Sequence, residues 1–204
     1  MDPGDLPVDD PLVDGFTGLA NRHAMARDLE RTLADAGRTG TRVAMLLLDL
    51  DGLIRINDEH GHAAGDQVLL TSARRLTEVA APVGRAYRMG GDEFLVVHEG
   101  ANDRGHVIAF ADEMREAVKA PFPRLDLPVE AARIAGLRVT CTIGIAVSAM
   151  GSTVQGLLLR ADSAMFHGKG LRPWPEVGDR SVLFDDLPPE ERTRLLAVWG
   201  ERQP

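Results

Sequence analysis

Two short stretches of this sequence place acids at the end of apolar runs. Arg42 to Leu50 (RVAMLLLDL) is continuously apolar until Asp49, and Asp51 follows directly. Gly90, Gly91, Asp92 and Glu93 lie between two shorter strand-like stretches. A continuous apolar run of this length is the pattern of a strand buried on both faces. A Gly-Gly pair between strand-like stretches is a hairpin turn signal. If these strands are neighbours, their carboxylates converge at one end of a sheet. Close carboxylates raise one another's pKa unless a cation sits among them. Oxygen donors of this kind suit Mg²⁺ or Mn²⁺. Mg²⁺ is usually held by one or two carboxylates together with substrate phosphates. Two such ions can activate an attacking hydroxyl and stabilise a leaving pyrophosphate. The glycines permit positive φ and let a triphosphate approach the backbone closely. Gly and Asp also occur in ordinary hairpin turns. The flanking Arg88, Met89 and Phe94, and the acidic end of the apolar strand, favour the metal and triphosphate reading.

A second constellation is the polar segment Asn57 to Asp66 (NDEHGHAAGD). A carboxylate accepts from guanine N1–H and N2–H₂, and an Asn amide both donates and accepts. Asn57 and Asp66 together can therefore read a purine edge, and such a site rejects bases that leave its polar groups unpaired. The alternative is that Asp66 caps the helix that begins at Gln67. His60 and His62 have no third neutral ligand beside them, so they favour a structural or solvated role over zinc.

Local patterns set these residues on elements. Helices are expected over 21–36, 67–80, 105–120, 154–168 and 188–199, and strands over 42–50, 84–89, 93–98, 137–149 and 181–184. Residues 51–66 read as a compact polar connection, and 121–136, with three prolines, as irregular. Mixed strands and helices around a central hairpin imply an α+β fold, helices packed on a largely antiparallel sheet.

The 204-residue length suits one domain with modest extensions. Hydrophobic residues make up 44%, enough for a core. The net charge of -8 argues against a general nucleic-acid surface, which needs a basic face. The single cysteine, Cys141, excludes an intramolecular disulfide and fits a reducing, cytoplasmic setting. The start of the sequence lacks the basic and apolar regions of a signal peptide, and no run approaches the ~18 apolar residues of a membrane helix.

Four blocks resemble the GGDEF-domain diguanylate cyclases. They are Asp14 to Arg22 (DGFTGLANR), Asp49 to Asp58 (DLDGLIRIND) continuing to Asp66, Arg88 to Phe94 (RMGGDEF), and Val139 to Ala146 with Ala161 to Phe166 and Lys169. Together they cover most of 14–172 in family order. The resemblance implies a fold like the palm of polymerases, a lead-in over 1–13, a cyclase domain over 14–185 and a helical extension over 186–204. It implies that two domains, each carrying GTP, meet as a homodimer and form cyclic di-GMP and two pyrophosphates. Asp49, Asp92 and Glu93 are then the catalytic acids, and Asp49, Leu50 and Asp92 hold Mg²⁺ or Mn²⁺. Substrate contacts fall on Asn57 and Asp66 for guanine, and on Gly52, Leu53, Gly90, Gly91, Lys169 and Arg172 around the phosphates.

The departures are local. Leu53 and Ile54 stand where the family has Phe-Lys, which removes a positive contact to the triphosphate. Arg172 arrives one residue early, without the family's Gly-Arg-Asn. The inhibitory Arg-x-x-Asp for product corresponds to Ala81 to Gly84, so no feedback inhibition is expected there. Two other readings remain: a weak or inactive GTP-binding or partner-binding module, and a related cyclase for other bases. The C-terminal helix, with Leu195, Leu196 and Trp199, is expected to dock on its own domain or on a regulatory partner.

Overall fold

The computed structural model describes residues 10–122, 136–170 and 179–200. It contains β1 (Ala20–Asn21), α1 (Arg22–Thr39), β2 (Val43–Leu50), α2 (Leu53–His60), α3 (His62–Ala80), β3 (Gly84–Gly90) and β4 (Glu93–Glu99). These are followed by α4 (Arg104–Lys119), β5 (Cys141–Val147), α5 (Val154–Lys169), β6 (Arg180–Leu183) and α6 (Pro189–Gly200). One sheet has the order β1-β3-β4-β2-β5-β6. Its four inner strands pair antiparallel, and the two edge strands pair parallel. The expected mostly antiparallel α+β architecture is what the chain adopts.

The apolar run of β2 explains why helices cover both faces. Leu46, Leu48 and Leu50 pack with Leu53, Val68, Leu76, Phe110 and Met114 from α2, α3 and α4. Met45 and Leu47 pack with Met25 and Leu29 of α1 and with Leu157, Ala161 and Met165 of α5. Side chains alternate along a strand, so one run serves two cores. Burying each large apolar side chain contributes roughly 1.5–3 kcal/mol. On β5, an added Cβ at Gly144 would lie 1.9 Å from the Ala161 carbonyl oxygen, so α5 seats directly on the backbone there.

Several expected boundaries move. The polar connection over 51–66 is two helices. Gly61, at φ 86, ends α2 and starts α3, so α3 begins five residues before Gln67. Asp66 is therefore inside a helix and does not cap one. Polar side chains on the outer face of a short helix hid its period. The strand expected over 137–149 is confined to Cys141–Val147. The two-residue β1 is too short to show alternation in the sequence.

Candidate active site

Register carries the acids together. In β2 and β4, Asp49 stands opposite Glu93, and on the other side Asp49 stands opposite Thr142 of β5. Paired residues share a face, so Asp49 and Glu93 project on the α1/α5 side, in line with Leu47 and Leu95. Gly90 (φ 136) and Gly91 (φ 54) turn the chain between β3 and β4 and place Asp92 beside the end of β2. The Leu50 N–H donates to the Asp92 carbonyl at 3.2 Å, which ties the turn to that strand. Leu50 itself is buried.

Asp49 is a largely buried acid among charged neighbours. Its side chain is 15% exposed. Burial pushes its pKa from 3.8 up to about 6; Lys169 opposes the rise, and Asp92 and Glu93 add to it. Glu93 is also raised, first by burial and then by Asp92. The Lys169 ammonium, at the last residue of α5, donates to Asp49 Oδ1. Among the described residues no three His, Cys, Asp or Glu side chains gather tightly enough to hold a metal. Asp49 and Asp92 nevertheless fit a Mg²⁺ or Mn²⁺ whose remaining ligands are substrate phosphates. The raised acids lack positive charge, and an ammonium stands in contact with one of them.

Asp51, two residues on, has different surroundings. Thr142 Oγ1 donates to its Oδ1 at 3.0 Å. Thr140 Oγ1 and the Asp179 N–H donate to its Oδ2 at 2.9 and 3.0 Å. Asp179 has φ 51 and is gripped in turn by Arg115 and Lys119 of α4. Those partners hold its carboxyl below its ordinary pKa despite partial burial. Asp51 thus anchors β5 and the start of β6 to the end of β2. The alternating Thr140 and Thr142 were the available signal for this anchor. Asp179, far off in sequence, gave none.

The purine candidates lie on the two packed helices α2 and α3. Asn57 sits on α2 with its amide over Gly65, where an added Cβ would lie 1.9 Å from Asn57 Oδ1. Asp66 follows on α3 and is exposed. Gly52 begins α2 with no side chain capping its first turn. Leu53 is buried beneath that turn, and Ile54 is 75% exposed. Arg172 lies outside the described residues. His60 is 3.8 Å from Glu59, and His62 is exposed, so neither gains a third metal ligand among the described residues. In the sequence Arg88 stands out only as a flank of the turn. It is buried, its guanidinium lies 4.5 Å from the centre of the Phe94 ring, and Asp14 and Asp92 are its charged neighbours.

The profile of the family described as "Diguanylate cyclase, GGDEF domain" matches residues 12–171. The diguanylate cyclase TpbB of Pseudomonas aeruginosa is 32% identical over 178 residues, covering 85% of this chain and 39% of TpbB. The chain spans less than half the length of the curated relatives it matches. The solved GGDEF domain of TpbB superposes with a TM-score of 0.76 at 30% identity, covering 91% of this chain and 99% of that one. The GGDEF domain of DgcB from Caulobacter crescentus, solved in complex with c-di-GMP, gives a TM-score of 0.73 at 30% identity, covering 87% and 98%.

Proposed function

The chain belongs to the GGDEF family of diguanylate cyclases, and we propose that it condenses two GTP molecules into cyclic di-GMP. In each half-reaction a ribose 3′-oxygen bonds to the α-phosphorus of the other GTP. The bond from that phosphorus to the β-phosphate bridge breaks, and pyrophosphate leaves. The observation that carries this reading is Asp49 opposite Glu93 across paired strands, with Asp92 in the adjoining turn. Asp49 and Asp92, with the Leu50 carbonyl, would hold Mg²⁺ or Mn²⁺, which when bound supplies charge for the α-phosphate and the leaving pyrophosphate. Glu93, half-buried and with a raised pKa, is placed to accept the proton of the attacking hydroxyl. Asn57 and Asp66 hold guanine. The uncapped start of α2 at Gly52 and Leu53, the turn at Gly90 and Gly91, and Lys169 with Arg172 hold the phosphates.

Each domain supplies one GTP, so the working unit is a homodimer. With GTP and Mg²⁺ the protein should form cyclic di-GMP at a rate rising faster than linearly with protein concentration. No product at high protein concentration would sink the assignment. We take 14–185 as the cyclase domain, with 1–13 as lead-in and 186–204 as an extension, in the cytoplasm where GTP is drawn. No helix among the described residues is long and apolar enough to cross a membrane. Leu195 and Leu196 of α6 pack on Ala164, Phe184 and Leu187, which leaves the outer face of α6 for a regulatory partner.

Feedback through the usual product site is not expected. Ala81 and Gly84 occupy its Arg and Asp positions, and a Cβ at Gly84 would lie 1.9 Å from the Val97 carbonyl oxygen. A side chain there would force β3 off β4. Cyclic di-GMP added to the turnover assay should therefore leave the initial rate unchanged. A second reading, a cyclase with a weakened grip on triphosphate, is favoured by the exposed Ile54 at the start of α2. It predicts a high KM for GTP with the reaction type unchanged.

A further inference from the structure

Among the described residues Lys169 is the sole ionic partner of Asp49. Its Nζ is also 4.0 Å from Asp51 Oδ1, but the oxygens of Asp51 already accept from Thr140, Thr142 and Asp179. The ammonium therefore rests on the carboxylate that a metal needs. Its backbone cannot retreat easily. Gly144 of β5 packs against Ala161 and Met165, and a Cβ at Gly168 would lie 2.8 Å from Thr142 Cγ2. The side chain can move, because it is 34% exposed and carries a four-carbon stem.

We propose that Lys169 is a shared cation, held by Asp49 before metal binds and handed to the triphosphate when nucleotide arrives, so that metal and nucleotide bind cooperatively. This rests on the cyclase reading and adds an order of loading to it. A divalent ion arriving alone must displace the ammonium from Asp49 and leave it only Asp51, which already accepts three hydrogen bonds. Nucleotide offers Lys169 phosphate oxygens and frees Asp49 in the same event. Coupling of this kind is reciprocal: nucleotide raises metal affinity by the factor by which metal raises nucleotide affinity.

The test is Mn²⁺ titration of the full chain by calorimetry and electron paramagnetic resonance. It is run with and without 3′-deoxy-GTP, which lacks the attacking hydroxyl. Lys169→Met should bind Mn²⁺ alone about three- to tenfold tighter than the unsubstituted protein, one charged contact having been removed from a partly exposed site. The same variant should bind 3′-deoxy-GTP more weakly and show a smaller coupling factor. Lys169→Arg should keep the weak binding of Mn²⁺ alone. Lys169→Gln is the second neutral variant if Lys169→Met does not fold. Equal or weaker binding of Mn²⁺ alone by the neutral variants overturns the proposal even if the protein makes cyclic di-GMP. Tighter binding without cyclic product from the unsubstituted protein upholds the shared cation and overturns the cyclase reading. Absence of Mn²⁺ binding in every state overturns both.

Discussion

Asp49 and Asp51 stand two residues apart at the end of β2, and their surroundings differ in kind. Asp51 accepts from two threonine hydroxyls and one backbone N–H, so its charge is spent on holding β5 and β6 in place. Asp49 is largely buried with Asp92 and Glu93 nearby and one ammonium for relief, and burial first of all pushes its pKa up to about 6. A buried anion fully supplied with hydrogen bonds is a structural joint. A buried anion short of positive charge is a site under load, awaiting a ligand. Substitutions that separate the two roles give the sharpest tests.

The largest effect should fall on turnover. On the proposed reading Asp49→Asn removes a carboxylate that would hold the metal, and it should lower cyclic di-GMP formation at least about a thousandfold, equivalent to about 4 kcal/mol of transition-state stabilisation. The same variant should raise the melting temperature of the empty protein near pH 7.5, because it removes a poorly compensated charge. A variant that loses both activity and stability would erase the contrast with Asp51. The next largest effect is on folding. Asp51→Ala leaves three donors unpaired and should cost about 2–4 kcal/mol in urea denaturation. Any residual folded fraction should still bind Mn²⁺ together with 3′-deoxy-GTP.

Acid titration separates the carboxylates by sign. Asp49 binds its proton more tightly folded than unfolded, so its contribution to stability is present below pH 3.8 and is lost as pH rises through about 6. That interval corresponds to about 3 kcal/mol at most. Asp179, held down by Lys119 and Arg115, behaves oppositely. Its contribution is present above its unfolded pKa and is lost as pH falls through its lower folded value. Unfolding free energies measured from pH 3 to 8 should lose the neutral-side decline in Asp49→Asn and the acid-side loss in Asp179→Asn. An unchanged profile in Asp49→Asn would show that its carboxylate is already compensated.

The same contrast explains what could be read from sequence. The apolar run ending in Asp49 announced a doubly covered strand and an acid at its edge, because burial on both faces demands an unbroken run. The Gly-Gly turn announced its hairpin because few residues tolerate those angles. Asp51 reads in sequence only as a second acid leaving the strand, since nothing local reveals that Thr140 and Asp179 will close around it. Asn57 and Asp66 are recognisable by type, but the close approach of Asn57 to Gly65, beside Asp66, depends on how α2 folds against α3. The split of 51–66 into two helices is hidden in the sequence because outward-facing polar residues mask the period. Contacts made across long sequence separations are fixed by the assembled sheet, and only the local half of each was visible.

The smallest predicted effect probes the supply of positive charge itself. Ile54 projects from the first turn of α2 and is 75% exposed, so Ile54→Lys removes little from the core. If the triphosphate lies over that turn, the added ammonium should lower the Kd for GTP about tenfold at low ionic strength, or about 1.4 kcal/mol. The gain should shrink as salt is raised, since the new charge is solvent-exposed. Because the introduced ammonium would share the triphosphate with Lys169, the variant should also soften the effect of Lys169→Met on nucleotide binding. Its effect on Mn²⁺ binding alone should be nil, because the side chain at that position does not touch Asp49. A gain in metal affinity without nucleotide would instead mean that the shortage at Asp49 is felt through the general field of the site, and that contact with Lys169 is not what sets it.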